Sequence, residues 1–427
     1  MKKFLAMLLA LVMALSLVAC GKTENPPAGD DGNKDADTTA KVKVGFITLH
    51  DENSTYDLNF INAAKEAIAN LGLTDADYIL KTNVPEGQEC YETAMDLVDK
   101  GCNIIFADSF GHEPYMIDAA KENPDVQFCH STGTRAHTEG LANYHNAFAS
   151  IYEGRYLAGI AAGLKLNEMI DAGKFTADEA LVGYVGAFTY AEVVSGYTSF
   201  FLGVRSVCPT ATMKVTFTGS WYDETLEKEG AQKLIGLGCK LISQHADSLG
   251  APTACESAGV PNVSYNGSTK DTCPNTFIVS SRIDWAPYYE MCIKAVMDGT
   301  EIPADWTGTL ATGSVVLTDV NETVAAEGTA EAIAAATEKL EKGELHVFDT
   351  ATFTTKADDT MNQFKVDFLK VDADGHITSY LADVDTDAAY TGDTEVVHDG
   401  YFAESEKRSA PYFDLEIDGI ERLDTKM

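Results

Sequence analysis

The feature that most constrains this fold is a regular alternation of strand and helix signals. Residues 42–47 have the apolar character of a buried strand, residues 60–71 place apolar side chains at helical spacing, and residues 103–107 are again strand-like. Parallel strands need a long crossover between them, and helical segments of this length supply it. The pattern therefore predicts an α/β fold with doubly wound parallel sheets.

The pattern occurs twice along the chain. After a long predicted helix over residues 149–166, strand signals restart at residues 181–185 and 213–217. Two similar α/β halves in series indicate two lobes of one architecture. Residues 350–427 differ from both halves, since they are strand-like, rich in turns and acidic, and we expect them to form a C-terminal extension.

The N-terminus has the pattern of an export signal. Two lysines precede an apolar run over residues 4–18, which is too short to span a bilayer comfortably. The end of this segment, Leu17-Val18-Ala19-Cys20, resembles the bacterial lipobox, which implies cleavage before Cys20 and lipidation of that cysteine. We predict a signal peptide over residues 1–19 and a lipidated, disordered tether over residues 20–40. Ordinary secretion, with a chance cysteine at the cleavage site, is the alternative.

Composition excludes several classes of partner and site. The formal net charge of −35 disfavours nucleic acid, whose phosphates need a basic surface. Eight cysteines besides Cys20 lie scattered among apolar and small residues, which favours buried thiols slightly over a disulfide framework. The spacing of Cys and His matches no metal site. We therefore predict no metal, no cofactor and no nucleic-acid partner.

Five segments carry a resemblance to a known family. In chain order they are Tyr56-Asp57-Leu58-Asn59-Phe60, residues 123–128, Glu153-Gly154-Arg155-Tyr156-Leu157-Ala158-Gly159, Gly219-Ser220-Trp221-Tyr222-Asp223 and residues 338–347. Each segment is short, but their order and spacing agree over residues 41–353. On these segments the chain resembles the basic membrane protein family of bacterial substrate-binding lipoproteins, which are the purine-nucleoside receptors of ABC transporters.

The resemblance implies a type I periplasmic-binding-protein fold, in which three crossovers join two Rossmann-like lobes and the ligand lies between them. We expect lobe 1 to comprise residues 41–147 and 268–310, lobe 2 residues 148–267 and 311–349, and the acidic extension residues 350–427. The implied function is a monomeric, membrane-tethered receptor outside the cytoplasm. It would deliver a purine base or nucleoside to permease and ATPase subunits, and it would not be an enzyme.

Ligand contacts also follow from the resemblance. Phe60 and Trp221 would stack on opposite faces of a purine, since a flat heterocycle is well held between two rings. Asp57 and Asn59, with Tyr56 beside them, would contact the edge of the base. A purely structural role for Phe60, as a core residue of its helix, is the alternative.

The chain departs from the family at three positions. Thr132 and Asn266 stand where the family has aspartates, and Ser281 stands where it has a lysine. These groups hold ribose hydroxyls in nucleoside-binding members, so their loss favours a free base or another small heterocycle. Asp284 is equally well suited to capping a helix. The further polar and aromatic candidates for the site are His245, Asp247, Asp284 and Trp285.

Two other functions remain open. The same fold serves a lipoprotein that senses a ligand and presents its bound state to a membrane receptor. A secreted nucleosidase is the enzymatic alternative, and His245-Ala246-Asp247-Ser248 contains the residue types of a catalytic triad. Near-consecutive residues project in different directions, however, whereas a triad needs convergence in space.

The lipobox generates the first testable prediction. Cys20→Ala removes the only thiol at the predicted cleavage site, so we expect the protein to be released from the membrane. Fractionation of cells producing each form measures this. Unchanged membrane retention of the variant would contradict lipidation at Cys20.

Overall fold

The computed structural model describes residues 42–358, 361–362, 365–384 and 392–427. The predicted signal peptide, Cys20 and the tether lie outside the described residues. Within the described ranges, no helix has both the length and the apolar character needed to cross a membrane.

The first third of the chain alternates strands and helices as its pattern predicts. Ser54 caps the first helix by accepting the backbone N–H of Asp57, and the apolar face of this helix is buried. The elements are β1 (Val44–Ile47), α1 (Thr55–Asn70), β2 (Tyr78–Lys81), α2 (Gln88–Asp99), β3 (Ile104–Ala107), α3 (Glu113–Glu122), β4 (Gln127–Ser131), α4 (Ala136–Glu139) and β5 (Tyr144–Ala149).

The second third repeats this arrangement. It begins with the longest described helix, whose side chains are buried on most sides because it lies inside the second lobe. The elements are α5 (Ile151–Asp171), β6 (Leu181–Gly186), α6 (Ala191–Val207), β7 (Thr212–Phe217), α7 (Glu224–Gly236), β8 (Leu241–His245), α8 (Gly250–Ala258), β9 (Asn262–Tyr265) and β10 (Phe277–Ile283).

The next segment returns to the first lobe and then to the second. It contains α9 (Ala286–Asp298), β11 (Asp305–Gly308), β12 (Val315–Leu317) and α10 (Thr329–Glu341). Helix α9 packs against α1, and α10 packs against α5. The chain therefore crosses between the lobes three times, after β5, after β10 and after β11, as the resemblance implies.

The two main sheets share one strand order. The first runs β11-β5-β4-β3-β1-β2 and the second runs β12-β10-β9-β8-β6-β7-β18, where β18 belongs to the extension. Strands β2-β1-β3-β4-β5 thus correspond to β7-β6-β8-β9-β10. All pairings are parallel except that of β10 with β12. Both sheets reverse their order beside the first strand, which is where open α/β sheets bind ligands.

One expected boundary differs from the structure. The expected boundaries place residues 268–283 in lobe 1. Strand β10 pairs with β9 in lobe 2, however, so the second crossover falls after Ile283. The link between β9 and β10 contains no helix. The periodic signal that marks each βαβ unit is therefore missing at this point.

Helices α5 and α6 approach closely through glycine. A Cβ placed on Gly203 would lie 2.0 Å from the carbonyl oxygen of Tyr156, and one placed on Gly159 would lie 2.1 Å from the carbonyl oxygen of Phe200. No side chain fits at either position, so the two backbones are in direct contact. This contact fixes α5, which begins at the first crossover, against the body of lobe 2.

The described cysteines are all buried and unpaired, which confirms the preference for core thiols. Burial raises the pKa of Cys239 to about 12 and that of Cys273 to about 11. Both thiols therefore stay protonated at neutral pH. They contribute to the core as small apolar side chains and not as reactive groups.

The extension is joined to lobe 2 through a shared core. Phe353, Phe402, Phe413 and Ile417 belong to the same buried cluster as the side chains of α5 and α6. Its strands, which confirm the strand-like pattern in the described part, are β13 (Leu369–Val371), β14 (Ile377–Ala382), β15 (Thr394–Glu395), β16 (Val397–His398), β17 (Tyr401–Phe402) and β18 (Ile420–Arg422).

The extension also contacts lobe 1. The backbone N–H and the hydroxyl of Ser409 donate to the carboxylate of Asp305 at 2.6 and 2.5 Å. The hydroxyl of Thr307 lies 3.4 Å from the carbonyl oxygen of Ser405. Asp305 and Thr307 lie on β11, directly before the third crossover, so the extension bridges the two lobes beside their hinge.

The glycine contact predicts a large effect of a small substitution. Gly203→Ala should lower the free energy of unfolding by about 1–3 kcal/mol, because the added methyl group must push α5 and α6 apart. Gly236→Ala is the matched control, since nothing lies within 4 Å of a Cβ at that exposed helix end. This control should be neutral or stabilising by up to about 1 kcal/mol. Chemical denaturation measures both, and equal stabilities would contradict the close contact.

Candidate ligand-binding cleft

The carboxyl ends of the parallel strands from both lobes meet around one cavity between the lobes. The lining comes from the loops after β1, β3, β4, β7 and β8, the last residues of β8 and β9, and the starts of α1 and α6. The position agrees with the strand-order reversal in each sheet. The lining residues are Leu49, His50, Tyr56, Asp57, Ser109, Phe110 and Thr132 from lobe 1 and Glu192, Trp221, His245, Asp247 and Tyr265 from lobe 2.

The lobes touch at the rim of this cavity. The backbone N–H and the hydroxyl of Thr55 donate to the carbonyl oxygen of Asp247 at 3.0 and 3.1 Å. The ring of His50 lies 5.3 Å from that of Tyr222 in the other lobe. The structure is therefore a closed form, in which groups from both lobes surround the same space.

Beside the cavity lies an aromatic wall made of Phe188, Tyr190 and Trp221 from lobe 2, of which Trp221 lines the cavity. Phe188 stacks on Tyr190 with ring centroids 5.0 Å apart, and its edge meets Trp221 at 5.1 Å. Phe110 of lobe 1 lies 5.5 Å from Tyr190 and also lines the cavity. Trp221 therefore lines the cavity from the lobe 2 side.

Phe60 does not line the cavity, and this corrects the expected pairing with Trp221. Its side chain is buried in the core of lobe 1 and stacks on Trp285 at 4.5 Å. Trp285 is equally buried and is not a lining residue either. Tyr56, one helical turn before Phe60, faces the cavity instead. Helix α1 therefore buries Phe60 and places Tyr56, the aromatic residue nearer its N-terminus, at the cavity.

Three other predicted polar residues do not line the cavity. Asp284 accepts the backbone N–H of Ala286 at 3.1 Å and pairs with Arg282, so it caps α9 and does not line the cavity. Asn266 donates to the carboxylate of Asp247 at 3.3 Å, and its oxygen lies 3.5 Å from Nδ2 of Asn59. Asn59 and Asn266 therefore meet across the cleft, behind Asp247.

Asp57 is held as a buried carboxylate by the start of α1. Its Oδ1 accepts the backbone N–H of His50 at 2.7 Å, and its Oδ2 accepts the hydroxyl of Ser54 at 2.5 Å. Burial alone would raise the pKa of Asp57, but the hydrogen bonds from His50 and Ser54 together lower it. Asp57 therefore carries a negative charge in the closed cleft.

Two neighbouring carboxyl groups behave in the opposite way. Burial and the nearby charge of Asp57 raise the pKa of Asp108 well above its usual range. Burial and the charges of Asp57, Glu227 and Glu192 raise the pKa of Asp247 in the same direction. Like charges this close disfavour simultaneous ionisation, so Asp108 and Asp247 retain protons to higher pH than exposed aspartates.

Polar atoms without partners mark where a ligand would bind. The hydroxyl groups of Thr132 and Tyr265 are buried in the cavity lining and make no hydrogen bond within the described structure. Thr132 also has a φ of 70°, which is unusual for a β-branched residue. Such backbone strain is concentrated at functional sites, where the surrounding structure enforces it.

Behind the lobe 2 side of the cavity lies the buried guanidinium of Arg155. It donates to the hydroxyls of Tyr184 and Ser243 at 2.9 and 2.8 Å, and its centre lies 5.0 Å from the ring of Tyr265. His245 packs against the same tyrosine at 4.4 Å. Burial lowers the pKa of His245, so its imidazole is neutral near pH 7.

The predicted site was therefore incomplete as well as partly misplaced. Tyr56, Asp57, Thr132, Trp221, His245 and Asp247 line the cavity as expected, whereas Phe60, Asn59, Asn266, Asp284 and Trp285 do not. The missed lining residues are His50, Leu49, Ser109, Phe110, Glu192 and Tyr265. Most of them directly follow a strand, so applying the carboxyl-end rule to every strand would have found them.

The paired lobes, the three crossovers and the enclosed cavity define a solute-binding protein. Comparison with protein families identifies which kind. The chain belongs to the Bmp family, the PnrA-like substrate-binding proteins of ABC transporters, whose model matches residues 44–351. Proteins of this class bind small molecules outside the cytoplasm and work with permease and ATPase subunits; they are not enzymes.

Two curated relatives are similar in sequence. A purine-binding protein of Brucella abortus is 33% identical over 263 residues, which cover 61% of this chain and 70% of the relative. A putative ABC transporter glucose-binding protein of Haloferax volcanii is 32% identical over 269 residues, which cover 63% of this chain and 64% of the relative.

Solved structures support the fold. A solute-binding protein from Aeropyrum pernix superposes with a TM-score of 0.60 at 18% identity, covering 74% of this chain and 94% of that one. One from Conexibacter woesei gives 0.57 at 20% identity, covering 71% and 98%. At these identities the likeness concerns the fold alone.

The protonated Asp108 predicts an unusual pH dependence. Because its folded-state pKa lies above the unfolded value of about 3.9, this group makes the protein less stable as the pH rises from about 4 to the folded-state pKa. Asp108→Asn keeps the acceptor for Leu49 and needs no proton. It should raise the melting temperature relative to wild type at pH 7 but not at pH 3. The exposed Asp125→Asn is the control, and a pH-independent difference for Asp108→Asn would contradict this assignment.

Proposed function

We propose that this protein is the receptor of an ABC uptake system and binds a purine, preferably the free base, in the closed cleft. The observation that carries the proposal is a cavity enclosed by both lobes and lined by aromatic rings from each. Tyr56 and Phe110 come from lobe 1, and Trp221 comes from lobe 2. Flat heterocycles gain about 0.5–1.5 kcal/mol per offset-stacked ring beyond simple burial.

The size of the cavity supports a small ligand. Little space remains between the lobes in this closed form, which favours a compact ligand. The Brucella relative is named for purine binding, which agrees with a compact planar ligand. A free base is smaller than a nucleoside, so it would need less separation of the lobes to fit between them.

The charge of the lining supports a neutral or cationic ligand. The ionised Asp57 faces the cavity together with the carboxyl groups of Glu192 and Asp247, and the described lining contains no lysine or arginine. Phosphorylated nucleotides would meet carboxylates with no compensating cation, so they are poor candidates. The ring N–H and exocyclic amine of a purine are donors, which carboxylate oxygens accept.

The loss of family carboxylates supports the base over the nucleoside. Thr132 stands at one of the two positions and presents a single unpartnered hydroxyl to the cavity. Asn266 stands at the other and is engaged with Asp247. Neither residue supplies the pair of acceptors that a ribose diol would require.

A hexose is the second candidate. The Haloferax relative, named as a putative glucose-binding protein, is nearly as similar as the purine-binding one. Sugar hydroxyls are donors as well, so the carboxylates of the cavity would suit them too. The two candidates differ in the aromatic contribution, because only a purine has a π-face for stacking.

For location, we propose attachment of the mature chain to the outer face of the cell membrane through lipidated Cys20. The lipobox and the polar spacer over residues 21–40 support this. Such a tether keeps the receptor close to its permease, which raises the effective concentration of one for the other.

Replacement of the central ring tests the ligand. Trp221→Ala should weaken adenine binding by about 1–3 kcal/mol, the range for truncating a base-stacking aromatic side chain. This corresponds to roughly ten- to a hundredfold in affinity. Trp221→Phe should recover most of the loss. Calorimetric titration with adenine, adenosine and glucose provides the measurement.

The matched control is Trp306→Ala, because Trp306 packs on Tyr288 in lobe 1, away from the cavity lining. Its affinity for adenine should equal that of wild type at a temperature where both are folded. Wild-type binding of glucose without any purine would transfer the assignment to the hexose. Equal adenine affinity in wild type and Trp221→Ala would contradict the stacking role.

A further inference from the structure

The last residues of the chain run along the edge of the lobe 2 sheet toward the cavity. Strand β18 pairs in parallel with β7, in the register Ile420 to Met213 and Arg422 to Val215. The backbone N–H of Leu423 continues this pairing by donating to the carbonyl oxygen of Val215 at 2.8 Å. The corresponding edge strand of lobe 1, β2, has no such partner among the described residues.

Asp424 then secures the end of β7. Its Oδ1 accepts the backbone N–H of Phe217 at 2.7 Å, and its Oδ2 accepts the hydroxyl of Thr216 at 2.7 Å. The ammonium group of Lys233 lies 3.0 Å from the same Oδ2. Phe217 is the last residue of β7, and Trp221 follows it by four residues, so Asp424 fixes the base of the loop that carries Trp221.

Lys426 secures the other loop of the aromatic wall. Its carbonyl oxygen accepts the backbone N–H of Thr189 at 2.7 Å, and its own N–H donates to the hydroxyl of Thr189 at 2.9 Å. Thr189 lies between Phe188 and Tyr190, the two rings that contact Trp221. The aliphatic part of the Lys426 side chain also lies against Gly219. One short segment thus holds both loops.

We propose that residues 424–426 are positioning residues of the binding site, which hold the aromatic wall in the arrangement that receives the ligand. The inference rests on the proposed function, because it takes the aromatic wall to be a ligand contact. The family match ends at residue 351, so this support comes from outside the family's common domain. The extension therefore supports the ligand-binding site and is not a separate, appended domain.

The physical reason is the cost of ordering. Without the tail, the N–H groups of Thr189 and Phe217 lose their partners and the two loops are free to move. A ligand would then have to immobilise the rings on binding, and each immobilised side chain weakens affinity by several-fold. We expect removal of the tail to weaken binding by about tenfold while lobe 2 stays folded, because β18 remains.

The experiment compares the full chain with a chain ending at Leu423 and with the milder Asp424→Asn. Hydrogen exchange of peptides covering residues 187–190 and 217–222 is measured without ligand, and adenine and glucose are titrated by calorimetry. Glu421→Gln is the matched control, since Glu421 lies on β18 and pairs only with the surface Lys214. We expect faster exchange in both loops and weaker binding for the truncated chain, a smaller effect of the same sign for Asp424→Asn, and no change for the control.

The two proposals fail in distinguishable ways. If wild type binds neither adenine nor glucose, the proposed ligand is wrong, while the exchange data still decide whether the tail positions the wall. Unchanged exchange in both loops would overturn the positioning role. Faster exchange with unchanged affinity would overturn it as well, because the wall would then not limit binding.

Discussion

The buried guanidinium of Arg155 organises the lobe 2 half of the cleft. It is fully buried, and the hydrogen bonds it donates go to neutral oxygens at the ends of β6, β8, β9 and β10, while the rings of Tyr184, Phe200 and Tyr265 surround it. An unpaired buried charge is expensive, so the surroundings must be arranged closely around it. His245 ends β8, and the loops carrying Asp247 and Asn266 begin at the ends of β8 and β9. Their positions therefore follow from one cation placed by the first crossover helix.

The carboxyl groups of the cleft depend on closure in a complementary way. Asp57 receives two hydrogen bonds from its own lobe and stays ionised, whereas Asp247 approaches it only when the lobes meet across Thr55. The approach of Asp247 to Asp57 is thus a property of the closed form, whereas Asp57 and Asp108 lie in the same lobe. Because burial beside Asp57 raises the pKa of Asp247, closure of the lobes is coupled to retention of a proton on that carboxyl group.

Much of the architecture follows from periodicity alone, because each strand and helix leaves a local signature. The second crossover does not, since β9 and β10 are joined without a helix and only pairing with β9 reveals where β10 belongs. The site shows the same division. Trp221, His245 and Asp247 follow strands and were predicted, but whether Phe60 or Tyr56 faces the cavity depends on how α1 packs against Trp285. The contacts of residues 424–426 with the aromatic wall join positions more than two hundred residues apart, so no local sequence pattern predicts them.

Labelling of the eight buried thiols can report the unfolding of each lobe. Each lies in a core, with its thiolate form suppressed wherever burial raises the pKa, so alkylating reagents and oxidants do not reach these eight described thiols while the lobes are folded. The cysteines are distributed over both lobes, from Cys90 and Cys129 in one to Cys208 and Cys239 in the other. The rate at which individual thiols become labelled therefore resolves which lobe opens first.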